Sequence, residues 1–262
     1  MIDKASRRLR AFYRTHLRYP LWRLRNWRRP YSDYYVDVVM GKLNAGLQHP
    51  AIGSDVVAHS TPMEMFDFLA PLGLRPDHCV VDYGCGSLRL GRPFIEYLDA
   101  GKYWGYEVTP EFLRIGRDKL PPELLEVKRP NLRVIDEHTL AEGRAANPEF
   151  IACWKVVSKV PEHLLDEFFR NLTGLLRPGG RILLEFSESA HRVKVSPMSW
   201  ANPRSLLLDH LERAMPGLEI RIHRLSGGAP PVIQKSVMEI ALVTGQQGGA
   251  AGSARALAEV EA

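Results

Sequence analysis

Apolar residues follow two different rhythms along this chain. Leu9, Phe12, Tyr13, His16 and Leu17 recur at helical spacing with arginines between them, so the first segment reads as a basic amphipathic helix closed by Pro20. A shorter piece from Leu21 to Arg29 carries Trp22, Leu24 and Trp27 and stops at Pro30. The pattern weakens between residues 31 and 60, with an apolar run from Tyr34 to Met40 and a loop expected around His49, Pro50 and Gly53. Thr61 as N-cap, Pro62 at the first helical position and Glu64 as the capping-box partner then predict a helix through Met65, Phe66, Leu69 and Leu72.

Beyond that helix the rhythm changes to short apolar runs separated by helical stretches. Strands are expected at Cys79–Tyr83, Tyr103–Glu107, Leu132–Ile135, Phe150–Val157, Arg181–Phe186, Leu218–His223 and Lys235–Val243. Helices are expected at Leu88–Leu98, after Thr109-Pro110, along the Leu164–Leu176 face and at Pro203–Ala214. Strands spaced by helices argue for an α/β fold, a doubly wound and mostly parallel sheet of seven strands covered on both faces. The Gly/Pro-rich connection before the last strand suits an antiparallel pair. From Thr244 onward Gly, Ala, Gln and Ser predominate, the composition of a disordered tail. The chain thus divides into a helical arm (residues 1–60), a catalytic-type domain (61–243) and a tail (244–262).

Charge sharpens the division. The formal net charge is +5, yet residues 1–30 hold ten basic side chains and one acid, Asp3; the arm is therefore +9 and the rest −4. Forty-five per cent hydrophobic residues suffice for one sizeable core, and no run is long and apolar enough to span a bilayer. Without a secretory leader pattern, the protein is expected to stay in the cytoplasm. Cys79, Cys85 and Cys153 lie in or beside apolar runs without metal-ligand spacing, which makes them packing residues and leaves no metal site expected.

The strongest chemical signal is VVDYGCGSLRLG, residues 80–91: a buried strand ending in Asp82, then Gly84 and Gly86 leading into a helix. Glycines allow a tight turn and close ligand approach, and a helix start offers unpaired N–H groups. Arg89 stands where the third glycine of a dinucleotide loop belongs, and a carboxylate at Asp82 repels a pyrophosphate but attracts an amino group; both count against a nicotinamide-dependent oxidoreductase.

These residues resemble the class I S-adenosylmethionine-dependent methyltransferases, with a resemblance running from about Thr61 to Val243. It implies a Rossmann-like sheet with an antiparallel last strand, and S-adenosyl-L-methionine as cofactor. Asp82, Gly84 and Gly86 match the family's first motif, which contacts the amino-acid end of the cofactor. Glu107, ending the second strand, matches the acid that holds the ribose hydroxyls, and Asp136 matches a carboxylate presented to adenine. LLRPGGRILLEF, residues 175–186, matches the turn and fifth strand. Arg89 is open to two readings, an exposed residue of the first helical turn or a contact to the cofactor carboxylate or an anionic substrate.

A base is needed only when the acceptor is a hydroxyl or ammonium, and candidates belong at the carboxyl ends of the strands. Lys159, His163 and His59 are the catalytic candidates, and His191 could also reach the mouth; for each histidine a surface role outweighs a catalytic one. Many family members carry histidine where Lys159 stands. Asn147-Pro148-Glu149-Phe150 precedes the fourth strand and is set aside as a base-methyltransferase motif. The arm, with its arginines and aromatics, has the composition of an interfacial anchor for an anionic membrane through residues 1–30, peripheral on the inner face, which suits a lipid-linked, cell-envelope or small-molecule acceptor. Three alternatives stand beside it: an RNA methyltransferase using the arginines on phosphates, a non-catalytic Rossmann-like module, and an arm that merely packs over the active site as a lid.

Overall fold

A computed structural model of the chain describes residues 4–47, 63–225, 233–243 and 255–261. His59 and the expected N-cap Thr61-Pro62 lie outside the described residues, as does the loop expected at His49–Gly53.

Seven strands form one sheet: β1 (Val80–Tyr83), β2 (Tyr103–Glu107), β3 (Asn131–Val134), β4 (Phe150–Cys153), β5 (Arg181–Glu188), β8 (Leu218–Arg224) and β9 (Gln234–Leu242). Their order is β8-β9-β5-β4-β1-β2-β3, with β9 antiparallel to both neighbours and the other adjacent pairs parallel. This is the expected Rossmann-like arrangement. A further strand, β10 (Arg255–Glu261), lies parallel to β8 at the edge, in a segment whose composition predicts a disordered tail.

The sheet is buried on both faces because its strands are apolar at successive positions. Val81, Ile151, Cys153, Ile182 and Leu184 enter one core with Phe168, Phe169 and Leu172 of α9 (Leu165–Thr173) and Leu207 and Leu211 of α10 (Arg204–Ala214). Val80, Phe150, Ala152 and Leu183 enter the other with Met65 and Leu69 of α4 (Glu64–Leu69) and Phe94 and Ile95 of α5 (Arg92–Tyr97). The three cysteines are buried and unpaired. Thr109 caps α6 (Pro110–Asp118) as expected, its hydroxyl accepting the Glu111 N–H at 3.4 Å.

Strand order reverses between β1 and β4, and a crevice opens at the carboxyl ends of such a pair. Two expected boundaries move in consequence. The helix expected from Leu88 starts only at Arg92, because the backbone from Gly84 to Gly91 is spent turning around the crevice. The strand expected to reach Val157 ends at Cys153, after which Lys155 adopts φ +62° and the chain bends into a short 3₁₀ turn, Val157–Lys159.

The arm departs most from expectation. Pro20 does not end the first helix: α1 (Lys4–Phe12), a π-turn (Tyr13–Leu17) and α2 (Arg18–Arg25) follow one another without a break in helical backbone. A proline inside a helix removes one N–H and crowds the preceding turn, and a widened π-turn just upstream accommodates it. The weakly patterned stretch after Pro30 is a helix, α3 (Tyr31–Asn44). It packs Tyr31, Tyr34, Val38 and Val39 against Phe112 and Met198. Met198 belongs to a hairpin unforeseen from the pattern, β6 (Val193–Ser196) and β7 (Ser199–Ala201), inserted between β5 and α10.

Candidate active site

Gly84 (φ +85°) and Gly86 (φ +56°) turn the chain sharply after β1, and a Cβ on Gly84 would overlap Val156 Cγ2 across the crevice. Register sets Asp82 beside Gly105 of β2 and Ala152 of β4, so Asp82, Glu107 and the exit of β4 emerge at one edge. Asp82 is buried, and Tyr103 Oη donates to its Oδ2 at 2.7 Å. Glu107 is buried too: Oε2 accepts the Gly86 N–H at 2.8 Å and Oε1 the Val108 N–H at 2.7 Å. Each carboxylate oxygen keeps a lone pair for a further donor. Desolvation raises both carboxyls to about 7; the Tyr103 hydroxyl pulls Asp82 back in part, and the two backbone N–H groups do the same for Glu107.

These groups line a cavity of about 940 Å³, a size in the ordinary range for small-molecule sites. Arg89, Lys159 and His163 also line it, so the fold brings these sequence candidates together with the glycine loop. Asp136 does not line it. Its Oδ1 accepts the Thr139 N–H at 2.7 Å and Thr139 Oγ1 accepts the Asp136 N–H at 3.1 Å, a capping box on α8 (Glu137–Ala145), and the neighbouring Ile135 faces the cavity instead. His191 is exposed and away from the cavity lining.

Lys159 leaves β4 on the 3₁₀ turn and donates from Nζ to Ser199 Oγ at 2.5 Å. Lys155 is held differently, with Nζ 2.7 Å from Glu64 Oε2 and its backbone N–H donated to Glu185 Oε2 at 3.0 Å. Burial lowers the pKa of both ammonium groups.

Several lining residues carried no signal in the sequence. Ser199 is reached only through the hairpin, and Tyr19, Arg23 and Tyr31 only because the arm folds back over the crevice; Tyr103, off the lining and behind Asp82, is reached only through the parallel pairing of β1 and β2. Trp22 Nε1 donates to Asp37 Oδ2 at 2.9 Å, and Arg29 pairs with Asp33 and Asp37 at 2.9 and 3.0 Å, which fastens α2 to α3. Tyr19 lies 4.9 Å from Tyr34 between ring centroids. Lys194 Nζ, from the hairpin, donates to the Thr15 carbonyl at 2.5 Å.

Polar groups without partners mark where a ligand fits. Ser87 Oγ in the glycine loop and Trp154 Nε1 just after β4 are buried on the cavity wall and have no hydrogen-bond partner among the described residues. A positively turned glycine loop, a buried acid at the end of β2 and two orphaned polar groups suit a ligand bearing an amino acid and a ribose.

A family model for a methyltransferase domain matches residues 81–182, from β1 into β5. The chain therefore carries a methyltransferase domain. The fold is similar to that of the glycopeptide N-methyltransferase MtfA in complex with sinefungin, at 14% identity and a TM-score of 0.52 over 71% of this chain and 96% of that one. Magnesium protoporphyrin IX methyltransferase (ChlM) from Synechocystis PCC 6803, with bound SAH, is similar at 16% identity and a TM-score of 0.52, over 69% and 81% of the two chains. An S-adenosylmethionine-dependent methyltransferase from Clostridium acetobutylicum ATCC 824 matches over 81% of this chain and 99% of that one, at 11% identity and a TM-score of 0.50. No curated protein sequence matches the chain.

Proposed function

We propose that this methyltransferase works as a peripheral enzyme on the inner, anionic face of a membrane and methylates a lipid-linked or cell-envelope acceptor. One observation carries the reading: the arm has two faces, one that walls the cavity and one that is exposed. Its inner side, through Tyr19 and Arg23, walls the cavity. Its outer side exposes Leu9, Phe12, Tyr13, Leu17, Leu21, Leu24 and Trp27, with Leu24 77% and Leu9 71% exposed. Those from Leu9 to Leu24 lie one, three or four residues apart, the spacing of a helical stripe, with Trp27 in the turn after α2 and Arg7, Arg8, Arg10, Arg14 and Arg25 interspersed. Such a stripe suits the headgroup boundary of a bilayer, with the apolar side chains inserted and the arginines reaching lipid phosphates. No described helix is long and apolar enough to cross a membrane, so attachment is interfacial in this reading.

Asp82 and Glu107, with the Gly84–Ser87 backbone, hold the cofactor. Bound there, S-adenosylmethionine supplies an electrophilic methyl group. The protein's part is to orient the acceptor, exclude water beneath the arm and take up a proton where the acceptor has one to lose. His163 is the wall residue suited to that last task. His59, the third sequence candidate, is proposed only on its place before α4.

Co-sedimentation with vesicles of phosphatidylcholine alone, and of phosphatidylcholine with phosphatidylglycerol, tests the reading. Binding is expected to the mixed vesicles only, weakened by salt and lost in Leu9→Ser/Phe12→Ser/Leu24→Ser. Equal binding by that variant, or retention on RNA in preference to vesicles, would overturn it.

A further inference from the structure

Tyr31 opens α3 and is buried on the cavity wall, only 8% exposed, and its hydroxyl has no hydrogen-bond partner among the described residues. Burial raises the phenol well above its ordinary value, so it remains a neutral donor. Its ring lies 6.3 Å from that of Trp200, and Met198 packs in the same cluster. Between those two hairpin residues stands Ser199, whose Oγ receives Lys159 Nζ. Tyr31 of the arm, Lys159 after β4 and Ser199 of the hairpin therefore all line the same cavity.

The charges of this wall are unevenly matched. Lys155 faces Glu64, and Arg29 faces Asp33 and Asp37. Lys159 has no carboxylate within ion-pair distance among the described residues. An ammonium largely withdrawn from water, hydrogen-bonded to a single hydroxyl, answered otherwise only by the field of the buried Glu185 and sharing its cavity with an orphaned phenol, is a donor set with room for an acceptor. Met198, Val160 and Leu164 line the cavity beside it and offer hydrocarbon contact.

We propose that Lys159, Ser199 and Tyr31 form an acceptor subsite for an anionic oxygen group, a carboxylate or a phosphate, carried by the amphiphilic molecule that the enzyme methylates. The proposal rests on the reading of an amphiphilic acceptor entering past the arm. Charge-assisted hydrogen bonds from Nζ supply the affinity, and the two hydroxyls fix the orientation of the group. The arm is then part of the substrate site, since Tyr31 belongs to it.

Calorimetric titration of the full chain, saturated with S-adenosylhomocysteine, with octanoate, octyl phosphate and octanol tests this in free solution, apart from any membrane. The anions are expected to bind about tenfold more tightly than octanol, with Lys159→Met removing most of that preference and Tyr31→Phe about threefold of it. Tighter octyl phosphate assigns a phosphate, and tighter octanoate a carboxylate. S-adenosylhomocysteine affinity serves as the check on folding. Octanol binding as well as the anions, or anion binding untouched by either substitution in folded protein, would overturn the subsite. The vesicle result stands apart from this one, because the substituted side chains lie on the inner wall.

Discussion

Tyr103 donates its hydroxyl to Asp82 at 2.7 Å from the neighbouring strand, and the contact exists because position 91 is glycine. A Cβ on Gly91 would overlap the Tyr103 hydroxyl and lie 3.1 Å from Asp82 Oδ2. Glycine at the end of the loop thus admits a phenol that orients the acid at its start. Tyr103→Phe should leave a buried carboxyl short of one donor, costing about 1 to 3 kcal/mol of stability and raising Asp82 above its present value of about 7. Gly91→Ala should produce the same two effects by displacement. Denaturant titration and S-adenosylhomocysteine calorimetry read them, and wild-type behaviour in both variants would remove Tyr103 from the support of the site.

The two buried acids make cofactor binding depend on pH. Asp82 and Glu107 hold their protons to about pH 7 in the fold, while in an unfolded chain they would release them near pH 4. Their contribution to stability is therefore complete below about pH 4 and is lost as pH rises through about 7. Ribose hydroxyls donated to Glu107 favour its ionised form, so cofactor binding should expel protons between about pH 6 and 8. Calorimetry in buffers of different ionisation enthalpy measures this. Proton release should shrink in Glu107→Gln, whose cofactor-free form should gain stability at pH 8. Proton uptake on binding would contradict the assignment.

Lys155 and Glu64 tie the exit of β4 to the start of α4 at 2.7 Å, with Lys235 3.7 Å away from the same carboxylate. Removing the acid leaves two ammonium groups together at a partly buried position. Glu64→Ala should cost about 1 to 3 kcal/mol, more than the reverse deletion Lys155→Met, since Lys235 remains to accompany Glu64 in that case. Thermal unfolding of both variants decides the order.

The sheet was legible in the sequence because its strands are apolar on both faces and separated by clear turn signals. The glycine turn at the cavity was legible because a glycine pair after a buried strand marks a tight turn at the strand's end. Asp136 shows the limit of such reasoning: an acid after the third strand serves equally as a helix cap, and its Thr139 contacts give it that role in the fold. The arm was misread at Pro20 because the rule that proline ends a helix ignores the π-turn before it. Tyr31 and Ser199 had no signature, since their partners lie in segments far away along the chain, joined only through the folded hairpin and arm.

The two faces of the arm should separate under mutation. Trp22 is half-buried, donates to Asp37 and lies 5.4 Å from the Tyr34 ring, so it anchors the inner side without reaching the outer stripe. Trp22→Ala should loosen the arm at a cost of about 1 to 3 kcal/mol, below that of a fully buried tryptophan, and expose α2 to limited proteolysis. Cofactor affinity should fall, because Tyr19 and Arg23 would no longer close the cavity. Vesicle binding should persist, since Leu9, Phe12, Leu24 and the flanking arginines are intact. Leu24→Ser should do the reverse, weakening vesicle binding while protease resistance and cofactor affinity hold. If both substitutions impair vesicle and cofactor binding together, the arm acts as a single closing element and its outer face has no separate partner.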